Sequence, residues 1–143
     1  MIGPAHHVGV AVHRLDPAIE RYRLLGLALD YVESVPSAGV RVAFLRAGGI
    51  HVELVEPLDP KGAVARFLES RGEGLHHIAF VTPDIVQELA RLEGEGFELV
   101  DRAPRAGARG RKVAFVHPRS AHGVLIELVQ EPAAPRDVSG LLG

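Results

Sequence analysis

Apolar and polar positions alternate along "HHVGVAV" (6–12), and the same beat returns seventy residues later in "HHIAFVT" (76–82). Period two predicts two strands. His7, Gly9 and Ala11 share one face of the first, with Val8, Val10 and Val12 on the other. His77 and Ala79 stand against Ile78 and Phe80 in the second. Each strand runs into a helix signal. In "DPAIERYRLL" (16–25) Asp16 is the expected N-cap and Pro17 the first helical residue, with Ile19, Tyr22 and Leu25 on one face. In "PDIVQELARLEGEG" (83–96) Thr82 or Asp84 caps, and Ile85, Leu89 and Leu92 recur at helical spacing. A glycine then stops each helix, and "GLALDYVE" (26–33) and "GFELVDRA" (96–103) predict a further strand in each copy.

The remaining segments also pair. "GVRVAFLRAGGIHVELVEP" (39–57) aligns with "GRKVAFVHPRSAHGVLIELVQEP" (110–132), both carrying Val-Ala-Phe and both ending in Glu-Leu-Val. The offset grows from 71 at Val42 and Val113 to 74 at Glu53 and Glu127, so the extra residues fall in the turn "HPRSAHG". The expected fold class is α+β: two tandem βαβββ modules forming a curved, mostly antiparallel eight-stranded sheet around a metal site. One domain is expected over residues 1–131, with module 1 at 6–57, a linker helix at 58–74 and module 2 at 75–131. The aperiodic tail 132–143 is expected to be flexible or to pack on a partner subunit.

Chemistry enters through the two glutamates. Glu53 and Glu127 each sit inside an otherwise apolar strand, where a carboxylate costs several kcal/mol unless water or a cation meets it. An open sheet face would satisfy either one alone. Matching positions of His7 and His77 in the two copies favour a shared cation instead, held by His7, Glu53, His77 and Glu127. Imidazole and carboxylate without sulfur suit a borderline divalent ion, and Co²⁺, Zn²⁺, Mn²⁺, Ni²⁺ and Fe²⁺ all qualify on ligand type. Alternation sends His6 and His76 to the opposite face, in structural or supporting roles. His51 shares the parity of Glu53 and can line the cavity, whereas His13, His117 and His122 read as exposed turn residues.

Composition narrows the setting. The chain has 143 residues, enough for one core, and its net charge of −2 offers no broad attraction for nucleic acid or anionic membrane. No apolar run approaches the roughly 18 residues of a membrane span, and no signal-peptide pattern opens the chain. A soluble, cytoplasmic protein is the expectation. Cysteine is absent, which removes disulfides, thiolate ligands and a cysteine nucleophile.

Duplicated modules with His and Glu ligands resemble the vicinal oxygen chelate superfamily, which includes glyoxalase I and the extradiol dioxygenases. More narrowly, "HHVGVAV" (6–12), "VELVEPLDPKGAVARFLESRGEGLHHIAF" (52–80) and "GRKVAFVHPRSAHGVLIELVQ" (110–130) are similar to the methylmalonyl-CoA epimerases. The resemblance implies a glyoxalase-like fold, metal ligation by the same four residues, and methylmalonyl-CoA as substrate. It also implies pairing into a homodimer. Some family members carry a glutamate base on the third strand after Pro-x-x-Gly; Val42 stands there, so the base is open. Glu127 is the first candidate, Glu53 its counterpart on the other face of the substrate, and Lys112 a further possibility.

Coenzyme A would want a basic surface. "DRAPRAGARGRK" (101–112) offers Arg102, Arg105, Arg109, Arg111 and Lys112, with Arg105, Arg109 and Arg111 as the candidates for its phosphates and an ordinary soluble hairpin as the other reading. The competing functions are a glyoxalase I-type lyase, an extradiol dioxygenase and a metal-free small-molecule-binding resistance protein. Two complete half-sites argue against the dioxygenase, and few aromatic residues argue against the last.

Overall fold

A computed structural model describes residues 1–133; the expected tail behaviour therefore falls almost wholly outside the described residues. The chain runs β1 (Ala5–Ala11), α1 (Leu15–Leu24), β2 (Ala28–Val35), β3 (Val40–Ala47), β4 (Ile50–Pro57), α2 (Ala63–Arg71), β5 (Gly74–Val81), α3 (Ile85–Gly94), β6 (Arg105–Ala106), β7 (Lys112–Val116) and β8 (Ile126–Gln130). All eight strands join one curled sheet in the order β2-β3-β4-β1-β5-β8-β7-β6. Reading outward from the β1–β5 seam, each half repeats the other. β1 is parallel to β4 and β5 to β8, while β1 and β5 are antiparallel across the seam. None of the helices among the described residues is long and apolar enough to cross a membrane.

Each helix covers its own half. α1 lays Leu15, Ile19 and Tyr22 on Leu45 and Leu54 of β3 and β4; Leu15, Leu45 and Leu54 are fully buried, each worth about 1.5–3 kcal/mol. α3 does the same with Ile85, Leu89 and Leu92 against Ala114, Val116 and Leu128. The linker helix α2 closes the end of module 1, where Val64 and Leu68 meet Val35, Val40, Val42 and Val55.

Three local expectations need correction. α1 begins at Leu15, so Asp16 lies inside the first turn and does not cap; the Leu15 amide is met instead by the Glu56 carboxylate from β4, at 2.6 Å. Leu25 follows the helix and is exposed, and the buried face starts at Leu15. In module 2 the segment 96–103 makes no continuous strand: Leu99 bridges Val116, and pairing resumes only at Arg105–Ala106. Both Val100 and Asp101 donate their amides to the Phe115 carbonyl, and the Asp101 carboxylate takes the Phe115 amide. A side chain thus occupies a place in the ladder that backbone would otherwise fill. The α3 cap is as expected, with Asp84 accepting from the Gln87 amide at 3.1 Å.

Candidate metal centre

Strand register assembles the site. In parallel pairing Gly9 lies beside Glu53 and Ala79 beside Glu127. On the other flank the repeated Val-Ala-Phe places Phe44 opposite Glu53 and Phe115 opposite Glu127. Every glutamate therefore has a small residue on one side and a ring on the other. His7 stands edge-on to Phe44, and His77 edge-on to Phe115, with centroids 5.2 and 5.8 Å apart. Gly9 is needed for close approach: a Cβ there would overlap the ring atoms of His77.

The four side chains converge at the seam and are all buried. His7 Nε2 lies 3.0 Å from His77 Nε2 and 3.1 Å from Glu127 Oε1. His77 Nε2 lies 3.1 Å from Glu53 Oε1 and 3.0 Å from Glu127 Oε1, and His7 Nε2 lies 3.5 Å from Glu53 Oε1. Four donor atoms at such spacings match the corners of a polyhedron whose centre is about 2.1 Å from each, the usual reach of imidazole and carboxylate to a divalent ion. Two carboxylates and two imidazoles turned on one another out of water want positive charge between them. This donor set fits a divalent ion.

Charges in the cluster point the same way. Burial disfavours a charged His77, but hydrogen bonds to Glu127 and Glu53 prevail and push its pKa up to about 10. Burial alone would raise the Glu127 carboxyl; its close contacts with the His7 and His77 rings hold it far below the usual carboxylate range.

The histidines that precede the two ring ligands do not point away. Ala5 pairs with Phe80 and His7 with Ala79, so His6 is an extra residue; Gly9 pairs with His77 and Val10 with Leu75, so His76 is another. Each is the unpaired residue of a β-bulge, which swings its side chain out of strict alternation. His6 Nδ1 meets His7 Nδ1 at 2.7 Å, and His76 Nδ1 meets His77 Nδ1 at 2.9 Å. Burial and the neighbouring ring lower both pKa values, His76 to about 4.

Above the cluster opens a cavity of about 320 Å³ walled by Val42, Val55, Phe44, Phe115 and Val129. Val42 is buried on that wall. His117 also lines it, contrary to the expectation of a merely exposed turn: its Nδ1 accepts the Arg119 amide, which turns the imidazole inward under the short helix Pro118–Ala121. His51 instead pairs with Asp30 at 3.0 Å, and His13 and His122 are exposed.

The basic hairpin is divided. Arg105 and Arg111 reach the cavity wall, whereas Arg109 stacks over Tyr31 at 3.8 Å; Arg102 and Lys112 are exposed. Arg105 pairs with Asp101, and Arg111 bonds Glu131 and the Tyr31 hydroxyl. No motif in the sequence singles out Glu131, although it shares the parity of Glu127 and Val129.

Comparison with known proteins agrees with this geometry. The profile described as Glyoxalase/Bleomycin resistance protein/Dioxygenase superfamily matches residues 6–115. The uncharacterized protein YqjC of Bacillus subtilis is 44% identical, over 87% of this chain and 89% of its own. The ethylmalonyl-CoA/methylmalonyl-CoA epimerase of Cereibacter sphaeroides is 36% identical, over 91% of this chain and 99% of its own. Among solved structures, a methylmalonyl-CoA epimerase in complex with methylmalonyl-CoA and NH4+ superposes with a TM-score of 0.89 at 36% identity, covering 93% of this chain and 97% of that one.

Proposed function

The chain belongs to the Glyoxalase/Bleomycin resistance protein/Dioxygenase superfamily, and on that footing we propose that it is a metal-dependent epimerase interconverting (2R)- and (2S)-methylmalonyl-CoA. One observation carries the reading: four buried ligand-type side chains meet at the floor of an apolar cavity, in a chain whose relatives include named methylmalonyl-CoA epimerases.

Epimerisation takes the proton from C2 and returns one to the opposite face. The obstacle is the negative charge that develops on the thioester oxygen as C2–H breaks. A divalent ion held by His7, Glu53, His77 and Glu127, Co²⁺ foremost, would supply the Lewis acidity that offsets this charge. The apolar walls at Val42, Phe44 and Phe115 exclude water, which strengthens every electrostatic interaction inside. With Val42 on the third strand, proton transfer falls to carboxylates already at the centre: Glu127 on one face of C2 and Glu53 on the other. Arg105 on the wall and Arg109 beside it offer cations to the nucleotide end of the substrate. A soluble cytoplasmic homodimer completes the proposal.

Deuterium uptake at C2 of methylmalonyl-CoA in D₂O, with and without Co²⁺, tests substrate, reaction and cofactor together. Metal-dependent exchange is the expected result. Absence of exchange, with turnover of the methylglyoxal–glutathione adduct instead, would replace the epimerase by a glyoxalase I-type lyase.

A further inference from the structure

The two bulged histidines hold matching places, but their outer nitrogens do not meet the same surroundings. His6 Nε2 lies 2.7 Å from Glu131 Oε1, while among the described residues no carboxylate is recorded on His76, which packs against Phe67. Glu131 is itself gripped by Arg111, whose Nε donates to both carboxylate oxygens at 2.9 and 3.0 Å. Proton positions follow along this line. A carboxylate accepts only, so His6 donates from Nε2. His6 Nδ1 is then an acceptor, and His7 must donate from Nδ1. That leaves the His7 Nε2 lone pair facing Glu127, Glu53 and His77.

We propose that Glu131 and His6 are positioning residues for the metal centre: a carboxylate–histidine–histidine relay, present among the described residues in module 1 alone, that locks His7 in the tautomer able to bind the ion. The inference rests on the metal reading above. Removing the carboxylate frees the His6 ring to rotate and lets His7 adopt the tautomer that puts its proton where the ion should be. Among the described residues the second module presents His77 with one supporting imidazole and no carboxylate behind it, so the two halves of the site are unequal.

The probe is Co²⁺ alone, titrated into the full chain by calorimetry and followed through its visible d–d absorption. Relative to the wild-type chain, Glu131→Ala should raise the Co²⁺ Kd by about 10–100-fold and shift the absorption bands, with Glu131→Gln, which keeps an acceptor oxygen, in between. His6→Ala should match Glu131→Ala, and the double variant should be no worse than either single one, because the two act in series. Glu20→Ala removes an exposed carboxylate on α1 and should leave both readouts unchanged. Equal Kd and spectrum for Glu131→Ala and wild type, or losses that multiply in the double variant, would overturn the relay while leaving the metal reading intact. A wild-type chain that takes up no Co²⁺ overturns both.

Discussion

At the scale of single residues, the centre depends as much on what is missing as on what is present. Gly9 has no side chain where the His77 ring passes. Gly9→Ala should leave a folded strand, since alanine is tolerated there by the backbone, yet displace His77 and weaken Co²⁺ binding by about 10-fold or more. Circular dichroism together with metal titration checks this; wild-type affinity would show that the ring can move without loss. A second residue reports on folding. Glu88 is buried on α3, and its hydrogen bond with Arg91 holds its carboxyl below the ordinary value of 4.5 despite the opposing effect of burial. A group depressed in the folded state contributes stability above about 4.5 and loses it as pH falls through the folded pKa. The Tm advantage of wild type over Glu88→Gln should thus be constant near pH 7 and shrink below about pH 4. An advantage that is flat down to pH 3 would remove Glu88 from the acid response. Of these residues, the four converging at the seam were legible in the sequence, because duplication put each histidine and glutamate at matching positions. Glu131 was legible in principle by parity with Glu127, but an acidic residue at the last position of module 2, next to Pro132, carries no motif of its own.

At the scale of elements, the helices and most strands follow from periodicity, and the misses lie in breaks of the ladder and in a contact between distant residues. Alternation assumes an unbroken ladder, and the ladder is broken where the chain does its finer work. His6 and His76 are bulged, so a strict two-residue period sends them to the wrong side. The segment 96–103 has strand-forming residues but surrenders its pairing to the Asp101 carboxylate. The α1 cap comes from Glu56, a residue over forty positions away that no local rule could nominate. The basic hairpin also changes once its contacts are known. Arg111 is tied to Tyr31 and Glu131, which leaves Arg105 and Arg109 as its more exposed candidates for phosphate. Replacing both with glutamine should raise KM for the CoA ester several-fold with little change in kcat, as loss of uniform binding does. An unchanged KM would free the hairpin from any part in substrate capture.

At the scale of the whole molecule, the two like modules of one sheet were readable because a repeat constrains topology: two copies of one unit, joined by a short linker, place like strands in like positions, whereas the strand order itself was not. The parallel pairs β1–β4 and β5–β8, which carry each glutamate to its neighbour, belong to register and were not readable from alternation alone. An ion at the seam would be bound by β1, β4, β5 and β8 together, so binding should stabilise the entire fold. Saturating Co²⁺ at about 100 times Kd is worth roughly 2.7 kcal/mol, visible as a rise in Tm that chelation reverses. Glu53→Ala and Glu127→Ala should each abolish most of that rise. A rise that persists in both would mean the ion stabilises the chain elsewhere.

Because the four-residue cluster straddles β1 and β5, neither half of the chain holds it whole. A single unit could complete such a cluster only by associating with a second copy, and the tandem chain makes that encounter permanent. A tandem chain also lets a contact such as His6–Glu131 stand on one side without a counterpart on the other. Severing the chain within the α2 segment should therefore yield fragments that regain Co²⁺ only on complementation, and the first fragment mixed with itself should not match the native pair.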